Sequence, residues 1–491
     1  MAKTKRLDAN GFRKFGLLDK LSYAAGDAGC NCSFALAGTW FTLFWTEYMH
    51  IDPVLFAGLL IAFKVWDAVN DTLIGSLMDA SKKQYKRGKF LAYISFGSFL
   101  LAGAACVCFL PLNPDTTSDI VKVLVCGLGY VVWDAAYTIV NVPYGAMLSN
   151  ITTVPGERAQ LGAWRNIGSM IISLPIGVVL PMVLVDSETQ VTNYKLLFPI
   201  ALVLGIVAIV MFWFMIKTTE FRANTDTKVS EEKFNLFKSI GNFMRNGAAL
   251  GATLLPVAMF LGQYGVQVCT SVVFRSYFGA GDLAGIMQMI GMLPMLLYIP
   301  FAKVLTNKFG KKEAASATAI VSIVGCVLMN VLPMPNNMTG VIIYIACSFL
   351  NGIGLGCGMM LSNAMMADAI DYNEWKNGKR EESVTYAVHS FFRKLAQGIG
   401  PSIGLLLMVM VGYDETLAIQ PSDVALRLRY VMTGFTLLTG ILNFIAVKWI
   451  YPLDKKTLTQ MNEELAARHA NAPVTTTEGA VAPEVANITL D

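Results

Sequence analysis

Charge is scarce in this chain. Asp, Glu, Lys and Arg make up only 15% of its 491 residues, hydrophobic residues make up 55%, and the mean hydropathy is +0.53. Soluble domains carry about 25% charge, and a soluble chain of this length divides into two or three of them. A soluble protein is therefore excluded. So is a single anchor on a soluble domain, because apolar blocks cover nearly the whole length. The net charge of +4 is small, which argues against nucleic acid. Histidine occurs only three times, and there is no Walker motif, zinc signature or nucleophile elbow. No nucleophile–base pair stands out, so an enzyme is not expected, nor a cofactor. The nine cysteines all lie in apolar stretches, and an odd number fits no complete disulfide framework. The pairs Cys30/Cys32 and Cys106/Cys108 lack metal-ligand spacing and read as small buried thiols. No cleavable signal peptide is apparent, because the first apolar run is long enough to span and ends in no small-residue cleavage site.

What the chain has is long apolar runs. A membrane span needs about 20 mostly apolar residues, and twelve candidates fall at 22–49, 54–79, 90–111, 119–149, 160–185, 194–216, 247–278, 282–305, 314–334, 339–368, 384–411 and 425–450. They are numbered here as spans 1 to 12. The longest polar stretch, 217–246, reads as a linker between a six-helix half at 1–216 and another at 247–452; the polar tail, 453–491, is expected to be disordered. Lys and Arg cluster before span 1 and after spans 2, 8 and 10. An even number of spans separates these clusters, so all of them fall on one side and both termini are expected to be cytoplasmic. Span 2 ends in Gly75-Ser-Leu-Met-Asp79 and a basic turn, and span 8 ends in Pro300-Phe-Ala-Lys303 and another, a weak internal echo. Two related halves around a midplane site are the plan of the major-facilitator fold, an all-α membrane architecture.

Ionisable groups at bilayer depth cost about 2.5–3.5 kcal/mol each by insertion scales and usually face a cavity or a partner. Span 2 places Lys64, Asp67, Asn70 and Asp71 on one helical face. Two carboxylates one turn apart need a positive charge between them, either a bound Na⁺, Li⁺ or proton or a structural ion pair with Lys64 or with another helix. Span 4 places Asp134, Tyr137, Thr138 and Asn141 on one face. Thr138 can add an oxygen to the span 2 carboxylates, and Tyr137 and Asn141 can bond a polyhydroxylated ligand, although interhelical hydrogen bonding uses the same groups. Asp134 reads as a gate or salt-bridge residue. Arg165 on span 5, and His389, Arg393 and Lys394 on span 11, either balance the carboxylates or bind substrate, and the lone His389 also reads as a satisfied polar residue. Asp27 and Asn31 on span 1 line the cavity or pair with a buried base. Asp368 and Asp371 at the end of span 10, with Lys64, Arg380 and Arg393, form the expected gating charges. A solvated loop is the plainer reading of the charges beyond span 10. The glycine-rich run Asn351–Gly358 lies within span 10 with no strand before it, so it packs or bends a helix rather than cradling phosphate.

Three stretches then carry a resemblance. They are Lys64-Val-Trp-Asp-Ala-Val-Asn-Asp-Thr-Leu-Ile-Gly75 with the following Gly88-Lys-Phe, Tyr137-Thr-Ile-Val-Asn-Val-Pro-Tyr-Gly145 with Glu157-Arg158 and Arg165, and Ala367-Asp-Ala-Ile-Asp-Tyr-Asn-Glu-Trp-Lys376 through Phe392-Arg-Lys394. Together they resemble the glycoside–pentoside–hexuronide:cation symporter family, the melibiose-permease-like branch of the major-facilitator fold. The resemblance implies a cation site at Asp67, Asn70, Asp71 and Thr138, with Arg165 and Lys394 near the sugar and cation sites; it also brings Glu157 and Arg158 into the gating set. The departures are informative. Asn31 and Asn141 stand where melibiose-type members have the two aspartates that grip galactosyl hydroxyls, Gly145 replaces a sugar-stacking tryptophan, and Cys30 replaces a lysine. A cavity that loses two carboxylates and keeps Arg165 and Lys394 becomes more positive and suits an anionic sugar such as a hexuronide or a sulfonated sugar. The alternatives are a neutral glycoside or pentoside, or a non-sugar, lipid-type carrier on the same fold. The expectation is a monomeric symporter in the bacterial cytoplasmic membrane that imports sugar with Na⁺, Li⁺ or H⁺ by alternating access and uses no other cofactor.

Overall fold

A computed structural model describes residues 13–80, 88–152, 154–221, 243–286, 308–378 and 382–470, with positions 241, 289–290, 293–294 and 306. The protein is all-α, with helices at Leu17–Leu43, Pro53–Ala80, Lys89–Cys108, Asp119–Ala146, Pro155–Leu184, Leu197–Thr218, Gly247–Ser276, Lys311–Val331, Met338–Asn377, Glu382–Met410 and Ser422–Ile445. These are spans 1 to 7 and 9 to 12 in order. Of span 8 the described positions 284–286, 289–290 and 293–294 are helical, and the rest lies outside the described residues. So do most of the 217–246 linker and the basic turn 81–87.

Local chemistry explains where these helices begin. Asp19 accepts from the Gly16 N–H at 2.9 Å and from Arg13 Nη2 at 2.6 Å, closing the start of span 1. Asn246 Oδ1 accepts from Ala249 N–H at 3.0 Å and caps span 7, and Asn337 does the same for span 10. Spans 3 and 9 both start immediately after a glycine in the left-handed region, Gly88 (φ 85°) and Gly310 (φ 95°). Only glycine adopts that backbone without penalty, so the same turn recurs at equivalent points of the two halves.

Eight of the described helices are long and apolar enough to cross a membrane. Spans 1, 2 and 11 are as long, at 27, 28 and 29 residues, but carry Asp27, the Lys64/Asp67/Asp71 face and Arg393/Lys394. The polar load is thus concentrated on helices that meet at the centre, while spans such as 6 expose Leu202, Val203, Ile206 and Val210 outward. Spans 1, 5 and 6, and spans 3, 4 and 6, pack together in the first half; spans 7, 11 and 12, and spans 9, 10 and 12, pack in the second. Span 2 packs on span 11 across the halves. A β-carbon on Gly404 would lie 1.8 Å from the Gly265 carbonyl oxygen, so spans 7 and 11 cross at backbone contact distance.

The expected disorder beyond residue 453 is corrected over its first part. Lys455–Ala470 forms a helix, with Met461 and Leu465 buried against the end of span 10. Leu458, Met461 and Leu465 form a sparse apolar stripe inside a polar sequence, and the indole N–H of Trp375 donates to Glu464 at 2.6 Å. Residues 471–491 lie outside the described residues.

Candidate functional site

Spans 2, 4 and 11 build one charged cluster. The Asn70 amide donates to Asp134 Oδ2 and to Thr138 Oγ1, each at 3.0 Å. Thr138 Oγ1 lies 2.9 Å from Asp71 Oδ1, and Lys394 Nζ donates to the other oxygen of Asp71 at 2.5 Å. Lys64 Nζ stands 3.6 Å from Asp67. Residues predicted from spacing on two separate helices therefore join in one network. A β-carbon on Gly398 would meet the Lys64 side chain at 2.2 Å, so the absence of one on span 11 makes room for this lysine. Asp134, expected as a gate or salt-bridge residue, joins this cluster: it is buried and shares Asn70 with Thr138. Three carboxylates (Asp67, Asp71, Asp134) face two ammonium groups (Lys64, Lys394), one negative charge in excess when every group is ionised. Among the described residues no group of three acidic, His or Cys side chains is close enough to cage a metal ion; the Lys394 ammonium stands against Asp71 instead.

Spans 1, 4 and 5 build a second cluster beside it. Arg165 Nε donates to Asp27 Oδ1 at 2.8 Å, and its Nη2 reaches Asn141 Oδ1 at 3.5 Å. Asn31 donates to Asp27 Oδ2 at 3.1 Å and accepts from Ser173 at 3.4 Å. The guanidinium lies 5.0 Å from the Tyr144 ring centre, whose hydroxyl is anchored on the Tyr23 carbonyl. Tyr137 stacks on Phe34. The Lys394 and Arg165 side chains keep 56% and 37% of their surface exposed at mid-span, so both border an open space. A cavity of 290 Å³ adjoins, lined by Asn31 and Ser173 from the first half and by Gln263, Tyr264 and Gln267 from the second.

Several expected site residues lie elsewhere. His389 is buried, with Nδ1 2.8 Å from the Thr253 hydroxyl, and does not line this cavity. Thr253 on span 7 takes up the imidazole within the second half, so a substrate role is not retained for it. Arg393 is half-buried one turn further on. Glu157 accepts from the Thr152 hydroxyl at 2.5 Å and Arg158 donates to the Thr152 carbonyl at 2.8 Å, so both tie down the start of span 5. Asp368 pairs with Lys311 at 2.7 Å and with Tyr451, all within the second half; Asp371 is half-buried one turn later. Arg380 lies outside the described residues.

Sequence reasoning missed a cross-half lock at the face away from the termini. Glu47, at the end of span 1, accepts from Arg275 Nη2 at 2.7 Å, from the Tyr413 hydroxyl at 2.8 Å and from the Tyr194 hydroxyl at 2.5 Å. Arg275 also donates to Thr192. Both charged side chains are 5% exposed. The available signal was positional: an acid and a base at the equivalent ends of the first span of each half.

A family described as MFS/sugar transport protein matches residues 22–455. An uncharacterized symporter of Bacillus subtilis (strain 168), YjmB, is 26% identical over 92% of this chain and 96% of its own length. A glucuronide carrier protein homolog of Escherichia coli (strain K12) is 24% identical over 91% of this chain and 95% of its own. The crystal structure of a D-xylose-proton symporter is similar with a TM-score of 0.60 at 13% identity, over 89% of this chain and 98% of that one, which speaks to the fold alone. The chain is an integral membrane transporter with the major facilitator fold, and it belongs to the MFS/sugar transport proteins as a member of the glycoside–pentoside–hexuronide:cation symporters.

Proposed function

We propose that this transporter couples one monovalent cation, Na⁺, Li⁺ or H⁺, to the import of an anionic sugar across the bacterial cytoplasmic membrane, working as a monomer with both termini inside. The observation that carries the reading is the Lys394–Asp71 contact. With one excess negative charge, the cluster is satisfied by one added positive charge. A cation at Asp67 and Asp71 takes over the role of the Lys394 ammonium there. Lys394 is then released toward the adjoining cavity, where it meets the carboxylate or sulfonate of a sugar beside Arg165, Asn31 and Asn141. Each solute raises the affinity of the other, and by linkage by the same factor. The buried Glu47–Arg275 lock supports reading the described state as closed outside, so that the halves rock about the central site and release both solutes inward.

A neutral glycoside is the second reading, and a specific observation favours it. Arg165 already has a carboxylate partner in Asp27, which reduces its pull on an anion. Direct binding to purified protein decides between them. D-glucuronic acid, a sulfonated hexose and a neutral methyl glycoside are each titrated with and without Na⁺ or Li⁺ and across pH. The proposal expects acidic sugars to bind and a cation to tighten them. Binding of the neutral glycoside alone refutes the charge preference, and a sugar affinity indifferent to Na⁺, Li⁺ and pH refutes the coupling.

A further inference from the structure

We infer that Arg429 holds the phosphate of a phospholipid, in the leaflet on the side away from the termini, where the ends of spans 7 and 12 meet the turn after span 9. The inference is independent of the solute carried.

Arg429 is 3% exposed. Its guanidinium stands over the rings of Tyr430 and Tyr277, 4.2 and 5.5 Å from their centres. Among the described residues no carboxylate pairs with it, and its buried Nε and Nη1 have no hydrogen-bond partner. Other arginines near this end are paired, Arg427 with Asp423 and Arg275 with Glu47. Ring faces offset part of a guanidinium's charge, but they leave its N–H donors without oxygen acceptors. A buried charge lacking a hydrogen-bonded counter-charge is costly. The arrangement therefore calls for an anion that brings acceptor oxygens.

The level of the guanidinium identifies its source. Tyr277 caps the end of span 7, and its hydroxyl donates at 2.6 Å to the carbonyl of Met334, which lies beyond the end of span 9 at Val331. A helical side chain leans toward the start of its helix, and span 12 starts at this same face, at Ser422. The charge thus sits at the boundary of the membrane, level with headgroups rather than with acyl chains. Tyr430 is 48% exposed and shares an outward stripe with Leu426, Leu438 and Leu442. That stripe faces lipid, with the tyrosine as its interfacial member. Tyr277 is tied down, whereas Tyr430 is the movable cover: a turn of its side chain opens the guanidinium to the bilayer. The planar fork of arginine matches two oxygens of a phosphate.

The test uses the full-length protein, delipidated in dodecyl maltoside, a detergent without phosphate. Thermal unfolding is followed while dimyristoyl phosphatidylglycerol, dimyristoylglycerol, inorganic phosphate or chloride is titrated. Wild type is expected to be stabilised saturably by the phospholipid and not by dimyristoylglycerol, which has the same chains and no phosphate. Arg429→Met should raise the half-saturating phospholipid concentration about tenfold or more. Without phospholipid it should melt no lower than wild type, because it removes an uncompensated buried charge. Arg427→Met, at the exposed and paired arginine of the same helix, should leave the response unchanged. Equal stabilisation of wild type and Arg429→Met by phospholipid overturns the site. So does an equal response of wild type to phospholipid and dimyristoylglycerol, a comparison that needs no variant. An Arg429-dependent response to free phosphate or chloride as strong as that to phospholipid overturns the lipid source.

Discussion

Removing the Arg275 guanidinium should unlock the face away from the termini. Arg275→Met keeps most of the side-chain volume and leaves the Glu47 carboxylate buried with only the Tyr194 and Tyr413 hydroxyls as partners. Breaking a buried pair by removing one partner costs about 3–5 kcal/mol. If opening returns Glu47 to water, that cost falls on the closed state alone. At about 1.4 kcal/mol per factor of ten, the closed-to-open ratio falls by roughly two to three and a half powers of ten. A population shift from 1:99 to 99:1 needs about 5.5 kcal/mol, so the variant should occupy the open state substantially and the wild type should not. The assay is alkylation of a cysteine introduced at Thr39, which lines the cavity between the halves, by a membrane-impermeant maleimide added to whole cells. Labelling should be slow in the Thr39→Cys background and rise at least tenfold when Arg275→Met is added. Glu47→Gln with Arg275→Met removes both charges, and should return labelling most of the way, because a pair replaced together leaves no orphaned charge. Unchanged labelling in the single variant, with retained expression and monodispersity, refutes the lock. A double variant as open as the single one shows that the pair is not the energetic unit.

Three further perturbations follow from particular contacts. Lys394→Gln leaves Asp71 without its ammonium partner, so cation affinity should rise about tenfold or more while the effect of the cation on sugar affinity shrinks; calorimetry with Na⁺ and with sugar, alone and together, checks both, and a weakened cation with intact coupling contradicts the Lys394–Asp71 exchange. Gly404→Ala places a methyl group against the Gly265 carbonyl, where backbone must shift, and should lower stability by about 1–3 kcal/mol or more; an unchanged melting temperature would show that the spans 7–11 crossing relaxes freely. The Trp375 indole N–H and then Gln460 hold the Glu464 carboxyl below its ordinary pKa. A depressed folded-state pKa adds stability above the unfolded value that is lost as pH falls through the folded one. Docking of Lys455–Ala470 should therefore loosen in acid, below the usual glutamate range, and Trp375→Phe should remove that dependence, as read by limited proteolysis across pH.

Periodicity within one helix was legible, and pairing between helices was not. Asp67, Asn70 and Asp71 one turn apart announced a polar face on span 2, and Thr138 a complementary one on span 4; the structure joins them through Asn70. Asp134 lies on that same span 4 face, yet its depth gave it a gate or salt-bridge role, because nothing in one helix reports which neighbour faces it. The same limit explains His389. Its position beside Arg393 and Lys394 suggested the cavity, but helical spacing does not say that span 7 presents Thr253 to it. Glu157 and Arg158 entered the gating set through the resemblance, and nothing in their spacing announced the contact both make with Thr152, only a few residues away. The tail was misjudged for a related reason. Leu458, Met461 and Leu465 are too sparse to signal a core until Tyr372 and Trp375 supply the other side.

Glu47 and Arg275 mark the far end of this scale, 228 positions apart in the chain and with no motif around either. What links them is the duplication of the fold, which puts the ends of spans 1 and 7 at equivalent places in the two halves. An acid on one and a base on the other form a contact only when the halves close on that face. The central charges obey the opposite logic: Lys394 reaches Asp71 across the halves while remaining 56% exposed, as the proposed exchange with a cation requires. In the proposed cycle a buried bond at the end away from the termini and an exposed one at the centre divide the work, since the first resists opening until the halves part and the second yields to the solute that arrives.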